Sequence, residues 1–154
     1  MMMSGRRSKL TGAFLLSVVV IFAALVSECS SREQPERYAD ITTVFLVNDI
    51  SVKTLLNYHC YSSETDFGNK TLAYEHEFLW RFRINFTLST KFWCDMRFYT
   101  EEGTLIQGGY HVYKARREYH ICGNECYFDV RRDGLYRRRY EDYTFYFDLV
   151  YSFP

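Results

Sequence analysis

Histidine and cysteine are the residues of this chain best able to do chemistry, and there are four of the first and five of the second. His111 and His120 could form an acid–base pair of the kind a ribonuclease needs, one ring accepting a proton while the other donates. No nucleophile motif, metal spacing or phosphate-binding loop accompanies them. His76 lies between Glu75 and Glu77, but neighbours along a strand face opposite ways, so the three do not converge on a metal. His59 adjoins Cys60, a pairing that could activate a thiolate. A disulfide-bonded cysteine has no thiolate to activate. The histidines therefore point away from an enzyme, and no catalytic, metal or cofactor-binding residue is assigned. The alternative is a secreted hydrolase, such as a nuclease, using His111 and His120.

The cysteines carry more information. Arg6, Arg7 and Lys9 precede an apolar run over residues 13–26, which ends in Ser27-Glu28-Cys29-Ser30-Ser31. A positive start, a short apolar middle and a small-residue exit make a secretory signal peptide. The run is shorter than the ~20 residues of a membrane span. Residues 1–29 are read as a removed signal, which leaves Cys60, Cys94, Cys122 and Cys126. Four cysteines in an oxidising compartment imply two disulfides, with three possible connectivities. Cys122 and Cys126 would close a very small loop together. Bonds from each of them to Cys60 or Cys94 are favoured, because a longer loop restricts the unfolded chain more. A four-thiolate zinc site needs two closely spaced pairs, and only one is present.

The elements that must hold these residues are strands. Fourteen Tyr and thirteen Phe against two Pro favour β structure. After a polar leader at 30–40, residues 41–48 are β-branched and apolar, and 55–61 form a second strand. Residues 62–69 read as a polar loop. In 78–85, Phe78, Trp80, Phe82 and Ile84 share one face and Arg81, Arg83 and Asn85 the other. That is the period of a half-buried strand. Residues 91–99 place Phe92, Cys94, Met96 and Phe98 together inside. Further strands are read at 105–113, 126–132, 135–140 and 143–151, with Asp133-Gly134 as a hairpin signal. No segment shows a helical period. The fold class is all-β, a small antiparallel β-sandwich of seven to eight strands with two disulfides, in one domain at 41–154.

Removing Arg6, Arg7, Lys9 and Glu28 from 19 basic and 19 acidic residues leaves 16 against 18, a formal −2. Such a balance points neither to nucleic acid nor to an anionic membrane. Two sequons, Asn69-Lys70-Thr71 and Asn85-Phe86-Thr87, mark N-glycosylation positions at Asn69 and Asn85. Arg137-Arg138-Arg139, with Arg131 and Arg132 across the hairpin, forms a patch suited to an acidic receptor surface. Alternation splits the three consecutive arginines between two faces. Binding specificity usually sits in loops without scaffold duty. The candidate contacts are accordingly Ser62, Ser63, Glu64, Asp66, Thr87, Ser89, Glu101, Glu102, Arg131 and Arg132.

The series His59-Cys60, Phe67-Gly68, Phe78-Leu79-Trp80-Arg81-Phe82, Phe92-Trp93-Cys94 and Cys122-Gly123-Asn124-Glu125-Cys126-Tyr127-Phe128 resembles the plant self-incompatibility protein family, the S-protein homologues. The family usually has a glycine near Glu75, Leu where Phe67 stands and Trp where Phe128 stands. The resemblance implies a secreted β-sandwich with two disulfides and variable loops. It also implies an extracellular ligand that meets a cell-surface receptor in cell–cell signalling, in pollen–stigma recognition or a related developmental role. A cell-wall or defence protein without a dedicated receptor is a further alternative. The expected state is a monomer with no cofactor, no nucleic-acid partner and no membrane insertion once the signal is gone.

Overall fold

The computed structural model describes residues 41–154. The signal assigned to 1–29 and the leader at 30–40 lie outside the described residues. Nine strands and one helix follow in order: β1 (Ile41–Asn48), β2 (Leu56–Tyr61), β3 (Asp66–Leu72), β4 (Glu77–Arg83), β5 (Lys91–Tyr99), β6 (Leu105–Lys114), α1 (Ala115–Cys122), β7 (Glu125–Arg131), β8 (Gly134–Glu141) and β9 (Thr144–Ser152). They build a five-stranded sheet, β4-β1-β7-β8-β9, and a four-stranded sheet, β3-β2-β5-β6. Alternation along each strand drives its inward residues between the sheets. Val44, Leu46, Phe128, Val130 and Leu135 of one sheet and Leu56, Tyr58, Phe92, Met96 and Phe98 of the other are all buried. Trp80 meets Phe92 and Phe67 at ring distances of 5.5 and 5.7 Å, in the tilted geometry that aromatic quadrupoles favour.

The sandwich is the expected one, with three differences of detail. A strand, β3, occupies part of the expected 62–69 loop. It is an edge strand with mostly exposed residues, so its turn-forming composition is tolerated there. The one described helix was not expected. Its inward face is Ala115 and the charged Glu118, which leaves no apolar stripe to read. Finally, β1 pairs antiparallel with β4 but parallel with β7, the single parallel ladder among the described strands.

Asn48, fully buried at the end of β1, ties the sheets together through side-chain bonds. Its amide donates to the carbonyls of Thr54 and Leu72, both at 2.9 Å, and its carbonyl accepts from the Ile50 N–H at 3.2 Å. Glu75, just ahead of β4, has φ +60°. That left-handed conformation costs glycine nothing and glutamate a steric penalty.

The disulfide pairing corrects the long-loop expectation. Cys60 bonds Cys94 and Cys122 bonds Cys126, so none of these four described cysteines is left as a thiolate for zinc. Cys60 and Cys94 are direct cross-strand partners in β2 and β5, with Cα atoms 4.0 Å apart. Cys122 ends α1 and Cys126 is the second residue of β7, their Cα atoms 5.1 Å apart across Gly123. Gly123 takes φ +59° to reverse the chain at that point. Chain reversal thus settles the pairing, not loop entropy.

Candidate binding surfaces

The sequence-derived chemical candidates do not converge. His111, on β6, stands edge-on to Trp93 at 4.5 Å, whereas His120, on α1, packs against Tyr119 at 4.9 Å. They make no contact with each other among the described residues. Burial, then Lys114, Lys91 and Arg117, pushes the His111 imidazole below its ordinary value. His59 bonds Asp66 at 2.6 Å, which ties β2 to β3, and His76 is an exposed residue ahead of β4.

The loop candidates fall into two groups at opposite ends of β5. Residues 62–65 and 84–90 lie at its start, where Tyr61 pairs with Trp93. Residues 100–104 and 132–133 lie at its finish, joined by the Arg132–Glu102 pair at 2.7 Å. Most of their polar groups also hold their own turns. The Ser62 hydroxyl accepts from the N–H groups of Glu64 and Thr65, at 3.2 and 3.0 Å. The Asp66 carboxylate accepts from the Gly68 N–H at 2.7 Å. Ser89 N–H donates to Asn85 at 2.8 Å, and the Thr87 hydroxyl donates to Ser89 at 3.0 Å. Ser63, Glu64 and Glu101 are exposed.

A different surface stands out, built by strand register rather than by loops. Across the outer face of the five-stranded sheet, Leu79, Phe45, Tyr127, Arg138 and Phe147 are successive cross-strand partners. Beside them runs a second row of Glu77, Val47, Asp129, Tyr136 and Leu149. Phe45 and Tyr127 stack at 4.2 Å and 3°. The Arg131 guanidinium lies 4.0 Å over the Phe147 ring and 5.0 Å over Tyr136, and Arg138 lies 5.1 Å over Tyr127. Asp49 and Asp129 hold these two arginines at 2.9 and 2.5 Å, so each planar group is fixed with its face on an aromatic ring. At the β9 edge, Phe145, Phe147 and Leu149 are 60%, 41% and 51% exposed. An apolar, arginine-studded patch of this kind differs from ordinary solvent-facing sheet and is the candidate interaction surface of this face. Of its members, the sequence-level readings contained only Arg131, among the loop contacts, and Arg138, within the arginine patch.

The arginine run divides as alternation requires. Arg138 joins the outer face, while Arg137 turns inward to Glu118 at 2.9 Å and Asp148 at 2.7 Å. Its hydrogen bond from Arg137 is the main reason the Asp148 carboxyl titrates below its ordinary range. A carboxylate with a depressed folded value adds stability above its unfolded value, and loses that contribution as pH falls through the folded one. Urea midpoints of wild type and Asp148→Asn should therefore differ by a constant amount at neutral pH and converge below about pH 4. A gap that stays unchanged down to acid pH would show that the Arg137–Asp148 pair adds nothing.

The outer face of the four-stranded sheet has the opposite character. Asn57, His59, Asn69, Asp95, Arg97 and Gln107 line an open trough of about 840 Å³ whose floor includes Gly108 and Gly109. Its groups are polar or charged, and Asn69 of the first sequon lies on it.

Residues 43–152 match the family model described as plant self-incompatibility protein S1. S-protein homolog 24 of Arabidopsis thaliana is 32% identical over 126 residues, covering 80% of this chain and 78% of that protein. Self-incompatibility protein S1 of Papaver rhoeas is 26% identical over 120 residues, covering 77% and 79%. A solved SPH (self-incompatibility protein homologue) structure, from a family described as small, highly stable, secreted plant proteins, aligns with TM-score 0.49 and 18% identity. That alignment covers 71% of this chain and 96% of that one.

Proposed function

The chain belongs to the plant self-incompatibility protein S1 family, and from that premise we propose that it is a secreted extracellular ligand for a cell-surface protein. The signal pattern at 1–29 and two disulfides support the compartment. The single observation that carries the ligand reading is the aromatic–arginine row across the five-stranded sheet. Its centre has the composition of an interface hot spot, with large rings and arginines already ordered before binding. The partner is a receptor ectodomain that lays an apolar, acid-rimmed patch over Tyr127, Arg138 and Phe147. The response is cell–cell signalling, in pollen–stigma recognition or a related developmental step. Asn69, whose side chain makes no hydrogen bond among the described residues, is the more open of the two sequons for a glycan. Asn85 already donates its amide to Ser89 at 2.5 Å.

The test uses labelled, oxidised protein on intact plant cells, pollen tubes included. Saturable binding that excess unlabelled protein displaces is expected. Phe147→Ala, at an edge position that leaves the core intact, should weaken it by about 30-fold, the effect of losing a ~2 kcal/mol hot spot. Binding that rises linearly with dose on every cell type, or that Phe147→Ala leaves untouched, would refute the reading.

A further inference from the structure

The trough on the four-stranded sheet faces away from the aromatic row, and the receptor reading makes no use of it. Its side chains come from strand register. Thr71, Asn57, Arg97 and Gln107 form one cross-strand row, and Asn69, His59, Asp95 and Gly109 form the next. Two planar amides, Asn57 and Gln107, therefore flank Arg97 as its cross-strand partners. Thr71 donates to the Asn57 carbonyl at 3.0 Å, which leaves the Asn57 amide N–H groups directed to solvent. Arg97 is exposed and has no ion pair or hydrogen bond among the described residues. Asp95 has one carboxylate oxygen occupied by the Trp93 indole N–H at 2.8 Å, and the other is open. The indole itself lies across Gly109. A Cβ at that position would fall 2.6 Å from the Asp95 Oδ1 and closer still to the indole ring. Glycine at 109 is therefore what lets the indole and the carboxylate settle over β6.

No large apolar side chain projects into the trough, because Tyr58 and Met96 are buried with their side chains in the core. A protein hot spot would find no anchor there. Amides and a half-free carboxylate supply donors and acceptors side by side, which suits the vicinal hydroxyls of a sugar. The charges fix the class further. Among the lining residues Arg97 and Asp95 carry the charges of this face, since Lys70, the cross-strand partner of Tyr58, turns to the inward side and lies 5.4 Å over the Phe78 ring. An unpaired arginine fork matches a carboxylate bidentately.

We propose that this trough binds an acidic oligosaccharide, with the carboxylate of a uronic acid residue on Arg97 and its hydroxyls on Asn57, Gln107 and Asp95. The binding site is separate from the receptor face, so a single molecule could hold an acidic glycan matrix and a receptor at once.

The experiment is titration calorimetry with pentagalacturonate, using oxidised protein made in a bacterial periplasm, where Asn69 carries no glycan. Binding is expected, weakened at least tenfold by Arg97→Ala and weakened comparably when the oligosaccharide is fully methyl-esterified. Phe147→Ala should leave it unchanged, which separates this site from the receptor face. Arg97 is exposed, so circular dichroism of Arg97→Ala should match wild type. No heat at millimolar oligosaccharide, or equal affinity for acid and ester, would overturn the proposal. Binding of pentaglutamate in preference to pentagalacturonate would overturn it too, in favour of an acidic peptide.

Discussion

Replacing Cys60 and Cys94 together by alanine should lower folding stability by about 4 kcal/mol, whereas replacing Cys122 and Cys126 should cost about 2 kcal/mol. The difference follows from the closed loops, with sequence separations of 34 and 4 residues. In the chain-entropy account, stabilisation grows with the logarithm of loop length. Position adds to the contrast. Cys60 and Cys94 are both fully buried and join β2 to β5, the two inner strands of the four-stranded sheet. Their removal also leaves space in the core between Tyr58, Phe92 and Met96. Cys122 is only half-buried at a helix end, where the chain can fray without opening the sandwich. Urea denaturation of the two double variants against oxidised wild type would measure both costs. The Cys60/Cys94 variant should also show a steeper denaturant dependence, because its unfolded chain is less constrained. Equal losses, or a larger loss for the Cys122/Cys126 variant, would contradict this account.

The same pairing shows where the sequence stopped being legible. Period-two alternation in Phe78, Trp80 and Phe82, and in Phe92, Cys94, Met96 and Phe98, located β4 and β5, because one face of each strand is buried and the other wet. Nothing local to Asp66-Phe67-Gly68-Asn69 announces β3, since an edge strand needs neither a buried alternation nor high β propensity. Helix α1 was hidden for a related reason: what its inward face buries is an ion pair. Register carried the rest. Leu79, Phe45, Tyr127, Arg138 and Phe147 are scattered through five strands, and only the β1–β7 parallel ladder brings them into line. Strand β9 misleads on its own. Phe145-Tyr146-Phe147 is apolar on both faces, as in an interior strand, yet it forms the sheet edge. That mismatch between composition and position is the one sequence-level sign of the outer face, and it becomes readable only with the strand order in hand.

Glu118→Ala should destabilise the protein by about 3–5 kcal/mol, the cost of stranding a buried charge's partners. Glu118 is fully buried, takes Arg137 at 2.9 Å on one oxygen and is paired with the Arg117 guanidinium on the other. Arg117 also donates to the carbonyls of His111 and Val112, at 2.9 and 2.7 Å, so the cluster clamps α1 to β6 as well as to β8. Removing the carboxylate leaves Arg137 largely buried with only Asp148 to balance it. The penalty thus lies in the orphaned arginine more than in a lost attraction. A double variant, Glu118→Leu with Arg137→Met, removes both charges and should recover most of the loss, because an apolar pair of similar volume carries no desolvation penalty. Thermal and urea unfolding of Glu118→Leu, Arg137→Met and the double would give the coupling energy. A single-variant cost below about 1 kcal/mol would mean that water screens the cluster as it does a surface pair. The cluster also bears on binding. Arg137 and Arg138 are neighbours on β8 that point to opposite faces, so the inward pair on Arg137 fixes the strand from which Arg138 reaches Tyr127. Loosening the interior contact should therefore blur the ordered row on the outer face, and Glu118→Ala should weaken cell binding even at temperatures where the protein remains folded.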